Sequence, residues 1–287
     1  MSPNPTPSIA VLGTGIIGSA IARNLVRKGF AVRAWNRTPD KAQALMADGA
    51  TACGSAADAA RGADVIITAG KDGAAVASAM RQAEAGLKPE QIWLQLATIG
   101  LEATAELSAW AAQRGLIFYD APVVGTRQPA EAGQLVMLAS GPLSRRDQAQ
   151  NVFDAISRRA IWISEQPGDG SRLKLVINNW VLALTHGAAE TLALAQGLGL
   201  DPALALETIA GGPLDAPYLQ LKGKAMLAGD YSVSFSVDNA AKDAGLVLAA
   251  AEAAGVRMDG AAAGLARFQR AIAAGHGGKD MAATFLA

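Results

Sequence analysis

Three stretches of this chain carry residues whose types and spacing suit chemistry. In Gly168-Asp169-Gly170-Ser171-Arg172-Leu173-Lys174-Leu175-Val176-Ile177-Asn178, Lys174 and Asn178 stand four residues apart, so on a helix they share one face. An ammonium buried without a partner is costly, so a lysine on an otherwise apolar helix calls for a reason. Proton donation in a cleft between two domains is one reason; a solvated place on the outside of the helix is the other.

The second stretch is Gly13-Thr14-Gly15-Ile16-Ile17-Gly18, which follows the apolar run Ile9 to Leu12 and precedes the helix-forming Ala20 to Lys28. A GxGxxG between a strand and a helix is a dinucleotide-binding fingerprint. Gly13 allows the tight turn, Gly15 lets backbone approach a pyrophosphate, and Gly18 lets helix and sheet close together. The helix N-terminus favours the phosphate charge. A tight turn that binds nothing is the plainer alternative. At the end of the next strand, where an NAD enzyme places Asp or Glu, this chain has Asn36-Arg37-Thr38. No carboxylate is there to hold a 2′-hydroxyl or repel a 2′-phosphate, and the arginine fork suits phosphate oxygens, with Asn36 and Thr38 adding hydrogen bonds. The expected cofactor is therefore NADP(H), with Ala69 and Gly70, after the third strong strand, added to its binding set. The third stretch, Asp120-Ala121-Pro122-Val123-Val124-Gly125-Thr126, reads as a strand end with a Pro-Gly loop. It belongs at the carboxyl edge of a sheet, where open α/β folds bind ligands, or is a simple crossover turn.

The elements that must position these residues alternate. Strands are expected at Ile9 to Leu12, Ala31 to Trp35, Val65 to Ala69 and Ile92 to Ala97, with helices at Lys41 to Asp48 and Ala74 to Ala85. Further strands are expected at Leu116 to Tyr119, Gln134 to Ala139 and Ile161 to Ile163. Such alternation calls for an α/β doubly wound parallel sheet, a Rossmann domain over residues 1–164. Beyond Ser164 the pattern turns wholly helical, with a long run from Ser171 to Leu198 and further helices at Asp238 to Ala254 and Gly260 to Ala274. Residues 165–287 are therefore read as an all-α domain.

At 287 residues, two domains are the natural division. Lys plus Arg equals Asp plus Glu at 25 each with no run of like charge, so no nucleic-acid or anionic-membrane surface is expected and the partner is a small molecule. One cysteine, Cys53, excludes an internal disulfide and points to the cytoplasm. Met1 to Ser8 is polar and Pro-rich, without a secretory signal, and no apolar run reaches the length of a membrane span. His186 and His276 with one cysteine make no zinc set, so no metal site is expected, and His186 reads as a helix-packing residue.

Taken in order, these stretches resemble the β-hydroxyacid dehydrogenase family, most closely its glyoxylate and succinic semialdehyde reductase branch. Ile9 to Gly18 is similar to its N-terminal fingerprint, and Asn36-Arg37-Thr38 to the triplet of its NADP-preferring members. Asp120 to Gly125, with Gln128-Pro129-Ala130-Glu131 and Gly133-Gln134-Leu135, resembles the substrate loop; Gly168 to Asn178 resembles the catalytic motif, and Lys242-Asp243 a late Lys-Asp pair. The resemblance implies a long helix joining the domains, a homodimer or homotetramer, and Lys174 as the group that protonates a carbonyl oxygen as hydride arrives from the nicotinamide. It also implies Asn178 orienting substrate or lysine, Lys242 near the cofactor, Thr98 beside the nicotinamide, and Val123, Val124, Gly125 and Thr126 around the substrate. Val124 stands where the family usually has Ser, leaving backbone amides and Arg127 to hold a carboxylate. The implied activity is NADPH-linked reduction of a small aldehyde or keto acid, or the reverse oxidation. Imine reduction, or cofactor binding without turnover, is the alternative.

Overall fold

The computed structural model describes residues 7–287, so most of the polar start of the chain lies outside the described residues. Two compact units form, one running to Lys174 and the other from Leu175 to Ala287.

The first unit opens with β1 (Ile9–Leu12), α1 (Ile16–Arg27), β2 (Val32–Trp35), α2 (Pro39–Gln43), β3 (Thr51–Ala52), α3 (Ala56–Ala60), β4 (Val65–Thr68) and α4 (Gly73–Ala83). It continues through β5 (Ile92–Gln95), α5 (Leu101–Gln113), β6 (Ile117–Asp120), β7 (Val123–Val124), α6 (Arg127–Glu131), β8 (Leu135–Ser140), α7 (Arg146–Ile156) and β9 (Ser157–Ser164). Strand order is β3-β2-β1-β4-β5-β6-β8-β7, with β9 on β8. From β3 to β6 every pairing is parallel, the doubly wound order of a Rossmann sheet. The strands bury both faces: Ile9, Val11, Val65 and Ile67 pack with α1 and α7 on one side, and Ala10, Leu12, Ile66 and Trp93 pack with α3 and α4 on the other.

The sheet is mostly parallel, as expected; beyond β6, β8 runs antiparallel to both β6 and β7. β6 and β7 run the same way through Ala121 and Pro122 and keep one antiparallel register against β8, Asp120 opposite Ser140 and Val123 opposite Met137, so the chain turns back only between β7 and β8, where α6 lies. The helix expected from Lys41 to Asp48 is α2 followed by a tighter 3₁₀ segment, Ala44–Asp48, which ends on Gly49 at φ 99°. The strand expected from Ile161 to Ile163 is longer and begins at Ser157.

α8 (Asp169–Gly197) begins in the first unit and continues into the second, followed by α9 (Ala203–Ile209), α10 (Pro217–Ala228), α11 (Val237–Ala253) and α12 (Asp259–Ala273). The second unit is helical, as its sequence pattern requires; its cores are small, one around Phe268, Leu182 and Met281, the other around Leu192, Leu206 and Met226. Among the described residues no helix is long and apolar enough to cross a membrane, and no group of three or more His, Cys, Asp or Glu is placed to hold a metal ion.

Candidate active site

Because β1, β2, β4, β5 and β6 are parallel neighbours, their carboxyl ends open on one edge of the sheet, and the first unit gathers its candidate residues there. The loop after β1 is built around its glycines. Gly13 sits at φ 103°, where a Cβ would meet the Ala69 carbonyl oxygen at 2.8 Å. A Cβ on Gly18 would collide with the Gly13 carbonyl, so helix and loop close only with glycine there. Gly15 is the contrast: exposed, at the N-cap of α1, with open space where its Cβ would be. No side chain caps α1, so the amides of its first turn face that space. The Thr14 hydroxyl, in the same loop, is buried and has no hydrogen-bond partner among the described residues. These features fit a bound pyrophosphate.

After β2 the three candidate residues divide. The Asn36 side chain accepts from the Thr14 amide at 3.0 Å and donates to the Thr38 carbonyl at 3.0 Å, bracing the loop. Arg37 and Thr38 are exposed, and Arg37 makes no hydrogen bond or ion pair with any described residue. Its guanidinium is available to a 2′-phosphate. After β4, Ala69 lies under Gly13, and Gly70 packs against Val76 with no room for a side chain. After β5 the buried Gln95 accepts from the Ala97 amide and donates to the Ala97 carbonyl, both at 2.7 Å, closing the turn that presents half-buried Thr98.

Asp120, at the end of β6, is fully buried. Its carboxylate accepts from the Ser171 amide at 2.7 Å and the Ser171 hydroxyl at 2.8 Å. Burial pushes its pKa up to about 6, with the bonds from Ser171 pulling the other way. On β8, directly opposite in register, Ser140 accepts from the Gly170 amide at 2.9 Å. The two remaining free amides at the start of α8 are met locally, Asp169 by the Gln166 carbonyl and Arg172 by that of Gly168. Lys174, half-buried, stands one turn beyond Ser171. In the substrate loop, Val123 is 8% exposed and belongs to the core, so it offers a ligand backbone only. Val124 is half-buried, Gly125 takes φ 132°, and Thr126 and Arg127 are half-buried.

In the second unit, Asn178 is buried and donates to Asp243 at 2.7 Å, while Lys242 pairs with the other oxygen of Asp243 at 2.6 Å. The unit also encloses a cavity of about 300 Å³ between α8 and α12, beside His186. The imidazole of His186 packs on Phe268, ring centres 4.3 Å apart, and burial pushes its pKa down to about 4, in keeping with a packing residue. Neither Lys174 nor Asn178 lines that cavity.

Asp120, Ser140, Ser171, Gln95 and Asp243 are the residues that sequence reasoning left without a role. The one available signal was Asp120, Ser171 and Asp243 standing inside three of the motifs; nothing in spacing pairs any of them with its partner.

Residues 8–164 match the profile of the NAD-binding domain of 6-phosphogluconate dehydrogenase, and residues 168–286 match that of the NAD-binding domain of NADP-dependent 3-hydroxyisobutyrate dehydrogenase. Glyoxylate/succinic semialdehyde reductase 1 of Arabidopsis thaliana is 30% identical over 284 residues, 97% of each chain. L-threonate dehydrogenase of Cupriavidus necator is 31% identical over 278 residues, 95% of this chain and 93% of that one. The crystal structure of 3-hydroxyisobutyrate dehydrogenase from Salmonella typhimurium superposes with a TM-score of 0.90 at 26% identity, covering 97% of this chain and 99% of that one.

Proposed function

We propose, from the premise that this chain belongs to the β-hydroxyacid dehydrogenase family, that it reduces small aldehyde or keto acids of the glyoxylate or succinic semialdehyde type, or runs the reverse oxidation of a β-hydroxyacid. The chain is an NADP(H)-dependent oxidoreductase acting on CH–OH and C=O groups. The observation that carries the finer reading is the start of α8: a half-buried lysine one turn beyond a helix start pinned to the sheet edge that also bears the glycine loop and Arg37.

When bound, the cofactor supplies or accepts the hydride. Gly13, Gly15, Ile16, Ile17 and Gly18 would hold its pyrophosphate and Arg37 with Thr38 its 2′-phosphate, while Ala69, Gly70, Thr98 and Lys242 complete the set. In reduction the Lys174 ammonium gives a proton to the carbonyl oxygen, and in oxidation the neutral amine takes it back. Its charge also stabilises the developing alkoxide. Asn178 is kept in one rotamer by Asp243, so its contribution is a fixed one. The backbone amides of Gly125 and Thr126, with Arg127, are the candidates for a substrate carboxylate.

A second reading, imine reduction, is favoured by Val124, which puts an apolar side chain where a carboxylate-binding hydroxyl would serve. The domains we assign, 1–164 for the cofactor and 165–287 for substrate and association, follow the motif boundaries. We assign a homodimer or homotetramer, supported by Val176, Trp180 and Leu194, which α8 leaves exposed. A cytoplasmic place is supported by the single cysteine.

The test is steady-state oxidation of NADPH and NADH against glyoxylate, succinic semialdehyde, neutral aldehydes and cyclic imines. Turnover of the aldehyde acids with NADPH is expected; turnover of imines alone selects the second reading, and none at all favours a binding protein. Lys174→Ala should bind NADPH and lose about 10²-fold or more in kcat, the usual share of a general acid. Arg37→Ala should weaken NADPH and leave NADH nearly unchanged.

A further inference from the structure

We propose that Asp120 is a positioning residue for Lys174, its buried carboxylate fixing the first turn of α8 through the amide and hydroxyl of Ser171. This rests on the reading of Lys174 as the proton donor.

A helix start usually takes its cap from the residue just before it. Here that residue is Gly168, which has no side chain to offer, and the cap comes from β6, 51 residues away in sequence. Asp120 and Ser140 face each other across the β6–β8 pairing and receive two consecutive amides, those of Ser171 and Gly170. Between them there is no slack. A Cβ on Gly170 would collide with the Leu138 carbonyl and approach the Asp120 carbonyl at 2.7 Å. Ser171 is braced from a third side by the Thr104 hydroxyl of α5, 3.1 Å away. Lys174 lies three residues on, above Ser171 on the same helix face. Any movement of this turn is therefore passed to Nζ. A proton donor displaced by about 1 Å loses on the order of 10²-fold in rate, so the anchor has a catalytic consequence without touching substrate. Among the described residues, the titratable group that acts on Asp120 is Asp169 on α8, held in place by Ser164 and Arg172.

The experiment is a double-mutant cycle on the full chain with NADPH and succinic semialdehyde or glyoxylate. Asp120→Ala should lower kcat about tenfold or more while KM and NADPH affinity change by no more than about threefold. Asp120→Asn keeps an acceptor for the Ser171 amide and can donate to the Ser171 hydroxyl, and it should restore kcat to within about threefold of the parent. In a Lys174→Ala background, Asp120→Ala should add no further loss. Hydrogen exchange at the amides of residues 170–174 should speed up in Asp120→Ala whether or not substrate is turned over. Unchanged kcat or unchanged exchange in Asp120→Ala, an Asn variant as slow as the Ala variant, or losses that multiply in the double mutant would each overturn the proposal. Should Asp120→Ala fail to fold, Ser171→Ala takes its place, with a loss of about threefold or more in kcat expected and none overturning the anchor. Full turnover by Lys174→Ala would instead sink the reading of Lys174, a result separable from the failure of Asp120 alone.

Discussion

Each unit buries an aspartate at a point where chain segments distant in sequence meet, and the two are treated in opposite ways. Asp280 in the second unit accepts from the Ser234 amide and hydroxyl, from the amides of Phe235 and Ala282, and from the Lys222 ammonium at 2.6 Å. Burial works against its charge, but Lys222 and these hydrogen bonds outweigh it and hold the carboxyl below the usual range. Asp120 in the first unit has the amide and hydroxyl of Ser171 and the amide of Gly168, with no cation among these donors, and burial wins, raising it to about 6. A fully paired carboxylate makes a permanent clasp; one with neutral donors alone is held at a protonation boundary. The clasp ties the 3₁₀ segment Met281–Leu286 to α10, whereas the boundary group holds the turn next to Lys174.

This contrast fails or sharpens in three measurements. The largest effect belongs to Asp280→Ala, which leaves the Lys222 ammonium, 4% exposed, buried without its partner. Such a loss costs about 3–5 kcal/mol, and urea unfolding at neutral pH should show it; a loss under about 1 kcal/mol would mean the clasp is not what holds the segment.

Next is the pH dependence. Asp280, lowered, stabilises the fold above the unfolded carboxyl value and loses this as pH falls through its folded value. Asp120, raised, does the reverse: its ionisation penalises the folded chain progressively as pH rises from the unfolded value of 3.8 to about 6, and fully above that. Stability curves should therefore move in favour of Asp120→Asn by roughly 2 kcal/mol between about pH 4 and 7. Parallel curves would show that Asp120 titrates as an ordinary carboxyl. The smallest effect is that of Ser140→Ala, which removes the acceptor of the Gly170 amide and should cost about 1 kcal/mol with a fall in kcat smaller than that of Asp120→Ala. An equal or larger fall in kcat would transfer the anchoring role from the carboxylate to the serine.

The sequence by itself determined whatever is local. A strand, a glycine turn and a helix within Ile9 to Arg27 settle the shape of the loop after β1, because Gly13 answers to the adjacent strand end and Gly18 to a carbonyl a few residues away, while Gly15 meets open space. The place of Arg37 after β2 was legible by counting along one unit, whereas the role proposed for Lys174 came from the resemblance of Gly168 to Asn178 to a catalytic motif, since composition leaves a solvated lysine open. Only the tertiary structure decided the rest: that Asp120 meets Ser171, that Asn178 meets Asp243 across 65 residues, that Asn36 turns inward to brace Thr14, and that β8 reverses beside β6. The physical reason is range. Periodicity tells which face of an element is buried, but the free energy of a buried polar group depends on which partner lies within about 3 Å of it, and that is known only once strands far apart in sequence have become neighbours.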